Sequence, residues 1–347
     1  MDTEIIDLKA GFSDIELLPA ARLIREGRLV VFPTETVYGL GADATNADAA
    51  KKIYAAKGRP SDNPLIIHVA VPEDAEEYAY TNEIYYKLAR EYMPGPLTVI
   101  LNAKSTVPME TRGGLDTVAV RCPRNPIANR LIALSGVPIA APSANLSGSP
   151  SPTAAEHVIE DMGGRVDMII DGGECDFGLE STIVKIEDDG ALILLRPGGI
   201  TVDDLIASGF IVKVADAVTN ELAPGETALS PGMKYRHYAP KAPVALISGE
   251  ISNIISYIKA EKQKKIALIW FSNDADELCK NLPEVAFYDF GLRSDEFRQA
   301  HLLFSLLRDC DKGNFDIIFA PLPSKDGIGL ALYNRLIRAS AHKIIEL

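Results

Sequence analysis

The sequence predicts a two-domain protein of α/β class. Short runs rich in β-branched and aromatic residues alternate with segments of helical period along most of the chain, as expected where strands are joined through helices. The alternation stops after Val214 in a stretch rich in Pro, Gly and Ala, and it resumes at Val244. With 347 residues, 47% of them apolar, the chain can bury more than one core. The expected organisation is a first domain over 1–214, a linker over 215–243 and a smaller domain over 244–347.

Residues Ile15–Glu26 carry Leu17, Leu18, Ala21 and Ile24 at helical spacing, and Gly27 ends them. Leu29–Phe32 reads as a short buried strand, terminated by Pro33. Thr45 or Asn46 can cap a helix with Asp48 in its first turn, and Gly58 with Pro60 stops it. Leu65–Val69 is a second apolar run, broken only by His68. A helix over Glu83–Tyr92 precedes the turn Pro94-Gly95-Pro96 and a strand over Leu97–Leu101. Thr111–Gly114 reads as a loop. Thr117–Arg121 alternates as a half-buried strand, so Thr117, Ala119 and Arg121 share a face. Ile127–Leu134 reads as a helix and Val137–Ala141 as a buried strand. The Ser- and Pro-rich run after it is a surface loop leading to a helix near Thr153. Val166–Ile170, Ile183–Ile186 and Leu192–Leu195 complete the strands of this half. Beyond the linker, apolar runs at Val244–Ile247, Ile266–Trp270, Val285–Phe290 and Ile317–Ala320 alternate with helical segments at Ile251–Lys262, Glu296–Cys310 and Gly329–Ala339. That order predicts a small doubly wound, Rossmann-like parallel sheet. Gly327 and Gly329 lack the rest of a dinucleotide fingerprint, which argues against a nicotinamide site.

Polar side chains gather at the ends of these strands. Thr34, Glu35 and Thr36 follow the first buried strand, where hydroxyls and a carboxylate can face a cleft. Gly39 and Gly41 come next and can either turn the chain or let backbone approach a ligand. Lys57 and Arg59 flank Gly58, which leaves two roles open: favourable charge at a helix C-terminus, or phosphate binding. His68 fits either a satisfied core position or a ligand-binding one. Arg121 ends its strand in a guanidinium, suited to holding a carboxylate through two parallel hydrogen bonds, although an exposed strand end fits as well. Ser143 and Asn145 directly follow a buried strand, and Ser151 lies in the same loop before a helix N-terminus that could meet an anion. Ser181 and Thr182 open one strand, and Arg196 closes another as Arg121 does. In the linker, Lys234, Tyr235, Arg236, His237 and Tyr238 mix rings and cations in a way suited to base stacking and phosphate, or to contact with the other domain alone.

Taken together, FPTETVYGLG, KGRPSDNPL with His68 after it, GLESTIV, LRPGGI and the linker's SPGMKYRHYAP resemble the signature of the L-threonylcarbamoyl-AMP synthase family. These are the YrdC-like enzymes that begin threonylcarbamoyl modification of adenosine in transfer RNA. The resemblance covers the first domain and the linker, and the last domain matches the long form of the family in size, place and alternation. It implies a YrdC-like twisted α/β sheet with an open cleft. It further implies a nucleotidyltransferase that converts L-threonine, bicarbonate or carbon dioxide, and ATP into L-threonylcarbamoyl-AMP, pyrophosphate and water, with Mg2+ accompanying the ATP. Carried over residue by residue, the family pattern sets Thr34, Thr36, His68, Arg121, the Ala141 backbone and Ser181 around threonine, with Arg121 on its carboxylate. Lys57, Arg59, Asn63, Thr117, Ser143, Asn145, Ser151 and Arg196 would surround the nucleotide, and Tyr235 would reach it from the linker. Lys57, Arg59 and Arg196 would carry the phosphate charge, with Lys57 and Arg59 the catalytic pair. The product would pass to a tRNA threonylcarbamoyl transferase.

Composition narrows the alternatives. A formal net charge of -13 argues against a surface that coats nucleic acid or membrane, and leaves room for a local basic cleft. The rival reading, a binding module for double-stranded RNA or tRNA without synthase activity, is weakened by that charge. Hydrogenase-maturation carbamoyltransferases share a YrdC-like portion but carry metal-binding and acylphosphatase-like segments that have no counterpart here. Cys122, Cys175, Cys279 and Cys310 form no CxxC pair and read as reduced thiols, and neither a GxSxG elbow nor a recognisable Cys/His pair suggests a covalent nucleophile. The acidic start and the lack of a long apolar run lead to an expectation of a cytoplasmic protein.

Overall fold

The computed structural model describes residues 2–220, 237–261 and 264–347. The chain divides into two compact units, Met1–Ser147 with Ser151–Lys234, and Gly148–Pro150 with Tyr235–Leu347.

In the first unit the strands are β1 (Glu4–Asp7), β2 (Val30–Phe32), β3 (Gly39–Asp43), β4 (Ile66–His68), β5 (Ala79–Tyr80), β6 (Leu97–Ala103), β7 (Thr117–Arg121), β8 (Ile139–Ala140), β9 (Met168–Asp171), β10 (Thr182–Ile186), β11 (Leu192–Arg196) and β12 (Val212–Val214). The helices are α1 (Asp14–Arg25), α2 (Ala47–Lys57), α3 (Glu83–Tyr92), α4 (Met109–Arg112), α5 (Pro126–Ser135), α6 (Ala155–Met162) and α7 (Val202–Ala207). The strands form one 12-stranded mixed sheet in the order β1-β9-β2-β3-β8-β4-β7-β6-β10-β11-β12, with β5 paired to β6. Local signals account for the helices that matter most here. Asn46 accepts from the Asp48 and Ala49 N–H groups at the start of α2, and Gly58 closes that helix in the left-handed conformation. Asn125 caps α5 in the same way, through Ile127 and Ala128.

One face of the sheet carries two apolar clusters. The first packs Leu17, Ala21 and Ile24 of α1 and Ile127, Leu131 and Ile132 of α5 against Val30, Phe32, Ile139 and Ile170. The second joins Ile66, Ala119, Ile100 and Ile183, from four strands, to Leu195 and Ala217. Helix α4 occupies the first half of the segment expected to be a loop at Thr111–Gly114, ended by Gly113 at φ +62°. The short elements β1, β5, β12 and α7 were not foreseen.

Gly39 and Gly41 are not turn residues. They lie inside β3, paired with Phe32 and Val30 of β2. A Cβ on Gly41 would stand 2.6 Å from Phe32 Cε1 and 2.7 Å from Ile139 Cγ2, so the close approach these glycines permit at that point is by the protein's own core.

In the second unit β13 (Val244–Ser248), β14 (Ile266–Trp270), β15 (Ala286–Asp289), β16 (Ile317–Pro321) and β17 (Ile344–Glu346) alternate with α8 (Ile251–Ala260), α9 (Ala275–Asn281), α10 (Glu296–Lys312) and α11 (Gly329–Ala339). The 5-stranded sheet runs β15-β14-β16-β13-β17, and every pairing is parallel. Progress along the chain moves first toward β15 and then back toward β17. With right-handed crossovers, that reversal sends α8 and α9 to one face and α10 and α11 to the other, which is the expected double winding. Helix α9 and strand β17 are additions to the expected elements. Among the described residues, no helix is long and apolar enough to cross a membrane.

The packing of β3 yields a stability test. Gly41→Ala forces Phe32 or Ile139 to move within a closed core and should destabilise the protein by about 1–3 kcal/mol, measured as a lowered denaturant midpoint. An unchanged midpoint would show that the core accommodates the methyl group.

Candidate active site

The strand register assembles the polar positions before any ligand is considered. His68 in β4 stands opposite Arg121 in β7, Arg121 opposite Thr98 in β6, and Thr98 opposite Ile183 in β10, which in turn faces Arg196 in β11. Residues opposite one another across a sheet share a face. His68, Arg121 and Thr98 therefore lie on the face that carries the second apolar cluster, because Ile66, Ala119 and Ile100 sit two residues along the same strands, while Arg196, beyond a register shift beside Ile183, is placed by its hydrogen bonds to Ser181.

Arg121 is 4% exposed and pairs with Glu35, Nη2 donating to Oε1 at 2.8 Å. Its Nε faces the Gly95 carbonyl at 3.4 Å. Burial works to raise the Glu35 carboxyl, but the Arg121 charge and hydrogen bond, with backbone N–H groups of Glu35 and Arg124, outweigh it and hold the group below the usual carboxylate range. Thr34 and Thr36 flank Glu35 in the chain. The Thr34 hydroxyl donates to the Val37 carbonyl at 2.7 Å, so the 2.8 Å contact with Thr36 is donated by Thr36. Burial first, and the Arg121 charge second, push His68 down to about 3. The ring is therefore neutral. Its Nδ1 lies 3.3 Å from the Ile139 carbonyl and carries the proton, which leaves Nε2 as an acceptor.

Ser181 shares its hydroxyl with Thr98 Oγ1 at 2.8 Å and accepts from Arg196 Nη2 at 3.1 Å, while Arg196 Nε donates to the Ser181 carbonyl at 3.0 Å. A second group forms where α2 ends. Lys57 Nζ donates to the carbonyls of Ser143 and Asn145 at 2.5 and 2.6 Å and approaches Asn145 Oδ1 at 3.3 Å. The Ser143 hydroxyl also donates to Asn145 Oδ1. Nearby in the chain, Arg59 Nη2 donates to the carbonyls of Asn63 and Pro64, each at 3.1 Å. Asn63 Oδ1 is buried and has no hydrogen-bond partner among the described residues. The Ser143 loop meets β3 through an isolated bridge from Gly39, and the Tyr38 N–H donates to Pro152 beside Ser151. Ser151 donates to Glu180.

Three expected residues stand apart or are engaged differently. The Ala141 N–H is used by the Ile66 carbonyl at 2.9 Å, leaving its own carbonyl for any ligand. Thr117 faces Asn102, two residues beyond Ala119, and lines a cleft of about 470 Å3 with Lys185 and Glu187. Tyr235 and the rest of 221–236 lie outside the described residues, while Tyr238 is 4% exposed in the second unit, its ring 5.3 Å from that of Phe304. Thr98 and Glu180 belong to the site without having been singled out, and Glu35, expected only as a carboxylate able to face a cleft, belongs to it as the partner of Arg121. A hydroxyl inside the apolar run LTVIL and carboxylates inside TETV and GLEST were the available signals. Among the described residues, no group of three or more His, Cys, Asp or Glu could hold a metal ion.

The neutral state of His68 has a measurable sign. The unfolded ring takes a proton below about 6.5, while the folded ring resists it down to about 3. Stability from His68 is therefore complete above about 6.5 and is lost as pH falls toward the folded value. Between pH 7 and pH 5 this amounts to about 2 kcal/mol. Urea midpoints at the two pH values should fall less for His68→Asn than for the native protein, and equal falls would refute the assignment.

Comparison with known proteins accords with this geometry. Residues 22–198 match the family described as "Telomere recombination", and residues 200–341 match "Threonylcarbamoyl-AMP synthase, C-terminal domain". The threonylcarbamoyl-AMP synthase of Pyrococcus abyssi is 45% identical over 99% of this chain and 99% of its own length. That of Bacillus subtilis is 42% identical over 96% of this chain and 95% of its own. The structure of P. abyssi Sua5 complexed with L-threonine superimposes with a TM-score of 0.90 at 43% identity, covering 99% of this chain and 100% of that one. The chain belongs to the threonylcarbamoyl-AMP synthase family.

Proposed function

We infer that this protein is an L-threonylcarbamoyl-AMP synthase, forming L-threonylcarbamoyl-AMP and pyrophosphate from L-threonine, bicarbonate or carbon dioxide, and ATP. The observation that carries the reading is the row of His68, Arg121 and Thr98 on adjacent strands, with Arg196 one strand beyond β10, which offers a carboxylate site beside a phosphate site. Arg121 and Arg196 are three strands apart, about 14 Å at roughly 4.8 Å per strand. Long side chains shorten that span to the length of an amino acid joined through a carbamate to a phosphate.

In this reading the threonine amine and bicarbonate first give a carbamate and water. A carbamate oxygen then attacks the α-phosphorus, and the bond to the β-phosphate oxygen breaks with the electron pair leaving on pyrophosphate. Arg121 holds the threonine carboxylate, and neutral His68 offers an acceptor without competing for that anion. Thr34, Thr36, Ser181 and the Ala141 carbonyl complete the threonine site. Arg59 and Arg196 meet phosphate oxygens. Lys57 fixes the Ser143–Asn145 loop through its carbonyls, and with Ser143, Asn145, Ser151 and Thr117 it borders the nucleotide. Phosphate oxygens only accept, so the unpaired acceptor of Asn63 suits an amine or hydroxyl of the nucleoside. Tyr235 would approach from the linker.

Mg2+ enters this scheme as part of the substrate. Glu35 is engaged by Arg121 and Glu180 by Ser151, so the side chains present suit an ion held by the nucleotide's own phosphates. The ion would neutralise charge on the departing pyrophosphate. The product is passed to a tRNA threonylcarbamoyl transferase, and the cytoplasm is the compartment we assign.

Pyrophosphate release from MgATP, with L-threonine and bicarbonate each present or omitted, tests the reading. Release should require both and coincide with a threonine-containing adenylate in rapid mass spectrometry. No release beside active controls would favour an RNA-binding module. Lys57→Ala and Arg59→Ala should each lower turnover by about a hundredfold with the circular dichroism spectrum unchanged, and near-native turnover in either removes that residue from the catalytic pair.

A further inference from the structure

We propose that Glu35 is a positioning residue that selects which edge of the Arg121 guanidinium is offered to the threonine carboxylate. The proposal rests on the reading of Arg121 as the group that holds that carboxylate. Glu35 lies in the turn after β2 and is 1% exposed. Its backbone carbonyl accepts from the Phe177 N–H at 2.9 Å, and the neighbouring Thr36 carbonyl accepts from Gly178 at 3.1 Å, so the turn is held from the far side. Its carboxylate reaches two other elements. Oε1 takes Arg121 Nη2 at 2.8 Å, while Oε2 faces the N–H groups of Arg124 and Asn125, just before α5, at 3.2 and 3.4 Å.

A guanidinium presents two edges to a carboxylate, the Nε/Nη2 side and the Nη1/Nη2 end. In Arg121 the first is occupied by Glu35 and by the Gly95 carbonyl. Nη2 is shared by both edges, and among the described residues Nη1 makes no hydrogen bond, so the Nη1/Nη2 end is the edge left to a ligand. Without Glu35 the planar group could turn about its last side-chain bonds and offer either. The choice has consequences because His68 and Thr98 stand on opposite sides of Arg121 in the row. A carboxylate seated on one defined edge settles whether the amine points toward Ser181 and Arg196, where phosphate would be met, or toward His68. Glu35 does this without touching substrate.

Steady-state kinetics with Glu35→Ala, Glu35→Asp, Glu35→Gln and Arg121→Ala tests the proposal. Glu35→Ala should raise the KM for threonine by about tenfold to a hundredfold and leave the KM for ATP within about twofold. Glu35→Asp should recover part of the threonine KM, because a carboxylate is restored. Glu35→Gln should recover less, because its amide nitrogen would face the donors of Arg124 and Asn125. A loss of active fraction or melting temperature with both KM values unchanged in all three Glu35 variants would overturn positioning in favour of a purely structural role. Arg121→Ala separates the two levels of the argument. If it leaves the threonine KM unchanged, the reading of Arg121 fails; if it raises that KM while Glu35→Ala does not, only the positioning role fails.

Discussion

A guanidinium has to remain charged on a nearly water-free face of the first unit's sheet. Withdrawing such a group from water costs several kcal/mol, and removing its counter-charge would leave that cost unanswered. Glu35 supplies the counter-charge, but a buried carboxylate needs partners of its own. It finds them in Arg121 and in two backbone N–H groups ahead of α5. The turn after β2, the end of β7 and the start of α5 are thus bound to one another by a single buried pair. The same charge acts on His68 across the register and, with burial, keeps that ring neutral. A neutral acceptor and a cation then stand side by side.

How far this was legible in the sequence depends on whether the determining contacts are local. The period-two pattern of Thr117, Ala119 and Arg121 is local, and it correctly set Arg121 on the face of Ala119. Asn46 and Gly58 likewise announced both ends of α2. Gly39 and Gly41 were misread because their reason lies elsewhere. A glycine after an apolar run looks like a turn until Phe32 and Ile139 are known to fill the space above it. Glu35 was visible as a carboxylate facing a cleft, but its partner is 86 residues away and only the sheet brings the two together. For Lys57 the sequence offered a helix terminus or a phosphate. The structure adds a third role, anchoring the carbonyls of Ser143 and Asn145.

The second unit shows the same division. Its alternation of strand and helix was enough for the double winding, since parallel strands with right-handed crossovers leave few topologies. Tyr238 was read with its neighbours as suited either to base stacking and phosphate or to contact with the other domain alone, and it packs against Phe304, a contact between residues far apart in sequence that the chain's order does not announce. The start of α11 is likewise satisfied from within. Glu296 accepts from the Gly329 N–H at 2.9 Å and from Ser324, filling with a side-chain carboxylate the place where a helix terminus in such folds often meets an anion.

Chemistry at the first site can proceed by positioning alone. The thiols closest to it are poor nucleophiles: burial, with the Glu35 charge second, pushes Cys122 up to about 12, and burial pushes Cys175 up as well. No covalent intermediate is required when two bound reactants are held in line, an effect that can contribute roughly 7–11 kcal/mol. Such catalysis tolerates little rotation of the groups that hold the reactants, which is why the cations here are tied down. Lys57 is fixed by loop carbonyls, Arg196 by Ser181, and Arg121 by Glu35 and Gly95. The acidic surface implied by a net charge of -13 is no obstacle, since exposed charges more than about 8–10 Å away are largely screened while buried groups are not. An anion entering the cleft would meet the local cations rather than the net charge, and the fixed edge of Arg121 would determine how it lies.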